Sequence, residues 1–303
     1  MEVTLMKGII LAAGRGTRLG AITCGIGGSG IGISKPLAPV YDKPTIYYPL
    51  TNLMSAGVRE IMVIASPDNV GQFRDLLGDG KNIGITLTYA VQPKPRGIAE
   101  AFIIAKDFIG DDDVALIFGD NVFSGEHFNE TLAQSTRPHG ATVFATYVRR
   151  PQEFGVVTFD ANGNAIALEE KPKHPTSNYA VVGVYFYDSS VVEVAQSITP
   201  SARGELEITD VNKVYLERGQ LNVVTLDSDT HWHDTGNEID LAKASDHVRE
   251  HQGRTNTLLG SPEAMALKMG HITMEEFGAL VSPTFRKSNY GKALMRLLPA
   301  SMR

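Results

Sequence analysis

Apolar positions in the first half of the chain fall into short, nearly continuous runs. Residues 8–13, 61–65, 85–91 and 114–118 each have strand length, and all but 85–91, where Thr86 and Thr88 share a side, offer no polar face. A strand that is apolar on both sides belongs in a sheet covered on both faces. Between these runs, residues 46–57 and 97–108 carry the wider spacing of amphipathic helices. Strand and helix in alternation predict right-handed crossovers and a doubly wound, mixed but mainly parallel α/β sheet of Rossmann-like type.

The pattern changes after about residue 140. Runs at 141–148, 155–159, 165–169 and 181–187 follow one another at shorter separations, so strands are added with antiparallel or mixed pairing. Asn162-Gly163 is a hairpin signal between the second and third of them, because both residues tolerate the positive φ of a tight turn. A helix is predicted over 209–218 and a strand over 221–226. From 237 onward the text reads as helices, broken near Gly260-Ser261-Pro262, Gly270 and Ser282-Pro283. There is no internal repeat. The one biased stretch is glycine-rich, over 25–32.

Composition narrows the picture. Of 303 residues, 43% are hydrophobic and 20% charged, which suits a packed core and excludes a disordered chain. Twenty-eight Lys and Arg against 34 Asp and Glu leave −6, the wrong sign for a general nucleic-acid binder. The single cysteine, Cys24, excludes an intramolecular disulfide and any Cys-rich zinc site, and it fits a reducing cytoplasm. No apolar run reaches the ~18 residues of a membrane span. The first apolar stretch runs into Arg15 and Arg18 rather than a small-residue cleavage site. A cytoplasmic location with no signal peptide and no membrane contact is therefore expected.

The candidate chemistry starts at the end of the first strand, with Gly14-Arg15-Gly16-Thr17-Arg18-Leu19. Small residues at Ala12, Ala13, Gly14 and Gly16 let backbone N–H groups approach and cradle phosphate. The spacing is neither a Walker-type P-loop nor a dinucleotide fingerprint, whose last glycine is replaced by Leu19. Arg15, Arg18 and, beyond the glycine-rich stretch, Lys35 would neutralise a polyphosphate. Asp120 follows the strand at 114–118, at the carboxyl end where open α/β sheets bind ligands. A carboxylate there, with Asp234 in His231-Trp232-His233-Asp234, suits Mg²⁺. The alternatives are a turn residue for Asp120 and a helix N-cap for Asp234. His231 and His233 have no third His, Cys or Asp nearby in the chain, which argues against zinc. Asp111-Asp112-Asp113 reads as a solvated loop.

Leu11-Ala12-Ala13-Gly14-Arg15-Gly16-Thr17-Arg18-Leu19, Ser34-Lys35-Pro36-Leu37 and Pro39-Val40-Tyr41-Asp42-Lys43-Pro44 together resemble the signature of the sugar-phosphate nucleotidylyltransferases. Gly119-Asp120-Asn121, Glu169-Glu170-Lys171-Pro172, Asn178-Tyr179-Ala180-Val181 and Arg203-Gly204-Glu205-Leu206-Glu207-Ile208-Thr209-Asp210 are closest to the branch that feeds dTDP-rhamnose synthesis. The likeness runs from about residue 6 to 250 and weakens beyond. It implies an α/β domain over 6–245, with a nucleotide part at about 6–140 and a sugar part at about 141–245, followed by a helical segment over 246–303. The implied activity is Mg²⁺-dependent transfer of a thymidylyl group from dTTP to glucose 1-phosphate, giving dTDP-glucose and pyrophosphate. The implied nucleotide contacts are Leu11, Ala13, Gly14, Gly16, Thr17, Arg18, Gln92, Gly97 and Asp120. Sugar-phosphate contacts are Gly155, Glu170, Lys171 and Val181, and metal ligands are Asp120 and Asp234. Arg18, Lys35, Lys171 and Asp120 would carry the chemistry. Family members form homo-oligomers, commonly tetramers.

The chain also departs from the family pattern. Residues 20–33 make a longer lid, which adds backbone freedom to be lost on closure. Phe154 replaces a usual tyrosine before Gly155, removing a hydroxyl. Glu126 and Asp227-Ser228-Asp229-Thr230 stand where the family has its regulatory nucleotide-sugar pocket, and acids there disfavour a diphosphate. An apolar pocket separates thymine from uracil by a methyl worth only ~1–3 kcal/mol, so use of UTP alongside dTTP is expected. Two other readings stay open: a nucleotidylyltransferase for UTP or another sugar phosphate, and a silent nucleotide-sugar-binding subunit.

Overall fold

In the computed structural model, which describes residues 6–14, 16–24, 32–125, 127–136, 139–281 and 285–302, the first strand is the axle of the sheet. The strands in chain order are β1 (Met6–Ala12), β2 (Pro39–Val40), β3 (Lys43–Pro44), β4 (Glu60–Ala65), β5 (Thr86–Val91), β6 (Asp113–Phe118) and β7 (Asn121–Ser124). They continue with β8 (Ala141–Tyr147), β9 (Gly155–Phe159), β10 (Ala165–Glu170), β11 (Tyr179–Tyr187), β12 (Leu221–Thr225) and β13 (His231–Asp234). β5, β4, β1 and β6 lie side by side and parallel. β11 joins β6 antiparallel and carries β9 and β8 on its far side, with β12 parallel to β8. The chain leaves β1 toward β4 on one side and later returns to β6 on the other. The carboxyl end of β1 is therefore the switch point at which such sheets open a crevice.

Alternation along β1 explains its lack of a polar face. Ile10 enters one core and Ile9 the other, and on β6 Ala115 and Ile117 oppose Val114 and Leu116 in the same way. The first core is covered by helices α1 (Gly20–Thr23) to α3 only in part: α1 buries nothing, whereas α2 (Tyr47–Ser55) and α3 (Val70–Leu77) supply Leu50, Leu53 and Phe73. The second is covered by α4 (Glu100–Ile104) and α5 (Lys106–Ile109). After α6 (Phe128–Gln134), which packs on the first core, α7 (Val191–Ser197) and α8 (Ile208–Glu217) complete the second.

The predicted helix over 97–108 is two short helices that start later. Residues 96–99 are held instead in a turn against Leu206, which donates to Arg96 O at 2.7 Å and accepts from Ala99 N at 3.1 Å. The hairpin at Asn162-Gly163 forms between β9 and β10, with Gly163 at φ 86°. The 111–113 acids are not a uniformly solvated loop: Asp113 begins β6, and Asp112 pairs with Lys7 at 3.6 Å. The ribbon β7–β13 has no strand signature in the sequence, because its two segments are short and half polar.

Helix α9 (Glu238–Thr255) runs through residue 245 without a break and is followed by α10 (Pro262–Lys268), α11 (Met274–Leu280) and α12 (Asn289–Met295). Met265, Phe277 and Leu294 from these last helices enter the same core as Ile10 and Leu50. Lys43 ties the two regions together. Its buried ammonium reaches Asp42 and, at 3.2 Å, Gln252, between the rings of Tyr48 and Tyr290 at 5.2 and 5.1 Å. Burial pushes its pKa down. Residues 25–31 of the glycine-rich stretch, Arg15 and Glu126 lie outside the described residues, as does the break at 282–283. No described helix is long and apolar enough to cross a membrane.

Candidate active site

The turn after β1 is shaped by Gly16. Its φ is 61°, and a Cβ built on it would lie 3.0 Å from Thr23 Cγ2 and 3.1 Å from Lys35 Cβ. The left-handed backbone and the crowding both require glycine. Gly14 differs: among the described residues nothing lies within 4 Å of a Cβ built there. Gly119 N donates to Leu11 O at 2.9 Å, which brings the ends of β1 and β6 together. Ala13 is buried beneath the turn. Thr17 opens the helical turn that presents Arg18; the Thr17 side chain is outside the described atoms.

Three charged groups converge at the switch point. Lys35, 7% exposed, pairs its ammonium with Asp120 and stands 3.6 Å from Asp234. Asp120 sits at the end of β6, and Asp234 is brought opposite Asn121 by the β7–β13 ribbon. Thr235 locks that junction by donating from both N and Oγ1 to Asp120 O, at 3.1 and 2.8 Å. Burial, then the charge of Asp120, pushes Asp234 above the usual carboxylate range; Lys35 and Arg18 pull the other way. The cap of α9 is Asn237, which accepts from Ile239 N and Asp240 N. Asp234 is thus not spent on capping that helix.

A cleft of about 980 Å³ opens beside this cluster. Of the predicted residues, Arg18, Gly155, Glu170, Lys171, Val181 and Asp234 line it. Lys35 and Asp120 stand behind Asp234 through the ion pairs. Gln92 and Gly97 lie apart from the cleft wall, at the carboxyl end of β5. Gln92 is buried and donates its amide hydrogens to Gly97 O at 3.0 Å and Glu100 Oε2 at 2.8 Å. Gly97 has φ 106°, and a Cβ there would lie 2.5 Å from Leu206 N.

On the sugar side, Glu170 accepts from Thr209 Oγ1 at 2.6 Å and from Arg203 Nη2 at 3.3 Å. Lys171 is a non-glycine residue at φ 45°, with a half-exposed ammonium 3.9 Å from Glu170 Oε1. A Cβ on Gly155 would press on Thr209 Oγ1 at 2.9 Å, so the glycine leaves space at the cleft floor. Phe154 packs edge-on against Trp232 with centroids 5.2 Å apart, and Trp232 Nε1 donates to Asn121 Oδ1 at 2.7 Å. Asn121, Thr209 and Trp232 line the cleft but were not assigned roles from sequence. Thr209 lay within a quoted motif; nothing in the sequence pairs Trp232 with Asn121 across 111 positions.

The absence of a third histidine near His231 and His233 holds only along the chain. The fold brings His247 to ring-centroid distances of 4.5 Å from His231 and 5.1 Å from His233, with His251 6.2 Å beyond. Burial, then His247 and His231, pushes His233 down to about 4. No group of three or more His, Cys, Asp or Glu among the described residues could hold a metal ion. His231, His247 and His251 line a second cavity of about 730 Å³ together with Asp229, Arg254 and Lys268. Asp227 instead turns its carboxylate to Thr230 N and Oγ1, at 2.8 and 2.6 Å.

A switch-point crevice holding a lysine and two carboxylates beside a polar cleft suits chemistry on phosphate esters, and the class of protein is that of the nucleotidyl transferases. The family model of that description matches residues 7–251, and the chain belongs to this family. It is 49% identical over 294 residues to the glucose-1-phosphate thymidylyltransferase of Neisseria meningitidis, covering 97% of this chain and 99% of that one. It is 48% identical to the enzyme of that name from Mycolicibacterium smegmatis, with the same coverage. Among solved structures, a chain assigned as a glucose-1-phosphate thymidylyltransferase from Bacillus anthracis, in complex with sucrose, matches with TM-score 0.71 and 38% identity, over 81% of this chain and 96% of that one. A UDP-glucose pyrophosphorylase bound to UDP-glucose shares the fold, with TM-score 0.70 at 21% identity over 82% and 99%.

Proposed function

We propose that this chain is a glucose-1-phosphate thymidylyltransferase: a phosphate oxygen of glucose 1-phosphate attacks the α-phosphorus of dTTP in line, and pyrophosphate leaves. The new bond is P–O to the sugar phosphate, the broken one is the α,β-bridging P–O, and no enzyme-bound intermediate is required. The observation that carries this reading is the meeting of Lys35, Asp120 and Asp234 at the carboxyl ends of the central strands, beside a cleft whose opposite wall offers Lys171.

In this reading the turn from Leu11 to Thr17 cradles the triphosphate, and Arg18 faces its charge. Lys171 holds the attacking phosphate, and Glu170, fixed by Thr209, accepts from sugar hydroxyls. Positioning two anions and neutralising them supplies most of the required catalysis. Asp120 and Asp234 fit Mg²⁺: they are hard oxygen donors placed together, and an ion of this kind is commonly held by one or two carboxylates plus phosphate oxygens and water. When bound, such an ion would offset phosphate charge as a Lewis acid. Lys35 offsets one of the two carboxylate charges and stands ready for a phosphate oxygen. A homo-oligomer, commonly a tetramer in this family, and a cytoplasmic location complete the proposal.

The test is pyrophosphate release from purified protein with glucose 1-phosphate and Mg²⁺, offering dTTP, UTP, CTP, ATP and GTP in turn. Fastest release with dTTP is expected. Release confined to another nucleotide would overturn the base assignment, and no release from folded protein would overturn the activity.

A further inference from the structure

Resting on the proposed function, one feature of the nucleobase end goes further than base contact itself. Gln92 alone does not specify a base edge. Its amide can present either oxygen or NH₂, and the two orientations have the same shape. Here the orientation is decided by neighbours. The Gln92 backbone is fixed by its N–H to Ala65 O at 2.9 Å, at the end of β4. One side-chain N–H then meets Gly97 O at 3.0 Å, and Glu100 Oε2 accepts at 2.8 Å. Both partners can only accept. Gly97 O is held in place because residues 96–99 are stitched to Leu206 and Gly97 has no room for a Cβ. Glu100 is 13% exposed at its side chain, on the first turn of α4, with Arg96 3.8 Å from its other oxygen. Turning the amide over would put Oε1 against a carboxylate and a carbonyl, losing two hydrogen bonds and replacing them with repulsion.

We infer that Glu100 is a specificity-positioning residue: by consuming the NH₂ of Gln92 it leaves Oε1 as a fixed acceptor, so the site selects a base that brings an N–H to that edge. Thymine and uracil carry N3–H there. Cytosine carries a bare N3, whose lone pair would face Oε1. The lock therefore separates imide pyrimidines from aminopyrimidines, and it does not separate dTTP from UTP.

The experiment measures kcat/KM for dUTP and dCTP, which differ only at this edge, with wild-type protein, Glu100→Gln and Glu100→Asp. A glutamine at 100 can accept from or donate to Gln92, so only Gly97 O still opposes the flipped amide. The aspartate draws the carboxylate back by one methylene and serves if the first variant fails to fold. The dUTP over dCTP ratio is expected to fall by about 10-fold or more in the variants, which is the scale of one charged hydrogen bond. If both nucleotides lose activity equally, Glu100 is only structural and the inference is overturned, while base recognition by Gln92 stands. If wild-type protein does not prefer dUTP, the base reading fails, and this inference fails with it.

Discussion

Lys171 combines a proposed substrate contact with a backbone that its residue type does not favour, and replacing it separates the two. At φ 45° an L-residue carries roughly 1–2 kcal/mol of left-handed cost. Lys171→Gly removes that cost but adds freedom to the unfolded chain, worth about 0.5–1 kcal/mol against stability. Lys171→Ala retains the strain. Both variants lose the same ion pair with Glu170, whose partners are 47% and 22% exposed and which is worth about 0–1 kcal/mol. The glycine variant should thus be more stable than the alanine variant by about 0.5–1 kcal/mol. For a chain of this length, at ~2.1 cal/mol/K per residue, that is about 1–1.5 °C in Tm. Urea denaturation resolves it better than heating. Both variants should lose at least ~100-fold in kcat, the scale of one preorganised charge contact at a reacting phosphate. Their calorimetric affinity for dTTP should stay close to that of the wild type. Equal stability of the two variants would refute the strain argument. Loss of dTTP binding in both would refute the assignment of Lys171 to the sugar phosphate.

Two other perturbations follow from the geometry. Burial, then Asp188 and Asp112, pushes Asp113 up to about 6, so the folded protein binds its proton more tightly than the unfolded chain. That burden is absent below the unfolded value near 3.8 and grows as pH rises through about 6. Asp113→Asn should therefore stabilise at pH 7.5 by about 1 kcal/mol after screening and have little effect at pH 4; an equal gain in urea midpoint at both pH values would refute this. Gly183→Ala would place a Cβ 2.6 Å from Asn121 Oδ1, the acceptor for Trp232, and should cost about 1–3 kcal/mol while disturbing the ribbon that carries Asp234. Unchanged stability and turnover would show that β11 yields there at no cost.

Much of the fold was legible because burial imposes a period. The runs at 61–65, 114–118 and 155–159 became β4, β6 and β9 within a residue, since a two-sided core tolerates little else in those positions. The helix expected over 97–108 starts only at Glu100, because Gly97 takes a positive φ and Arg96 O and Ala99 N are spent on Leu206, a partner more than 100 positions away. His231-Trp232-His233-Asp234 was legible as a place for a carboxylate and illegible as a strand. Its partner, Asn121-Val122-Phe123-Ser124, gives it that conformation.

The sequence by itself determined the two-faced sheet, the glycine turn after β1 and the residue types that could meet phosphate. These follow from local chemistry: apolar period, backbone freedom and charge. Only the tertiary structure decided that Lys35, Asp120 and Asp234 form one cluster, that Asn237 rather than Asp234 caps α9, and that His247 faces His231. It also decided which way the Gln92 amide points. Each of these depends on distances between segments far apart in the chain, and such distances are set by how the helices and the ribbon pack on the sheet.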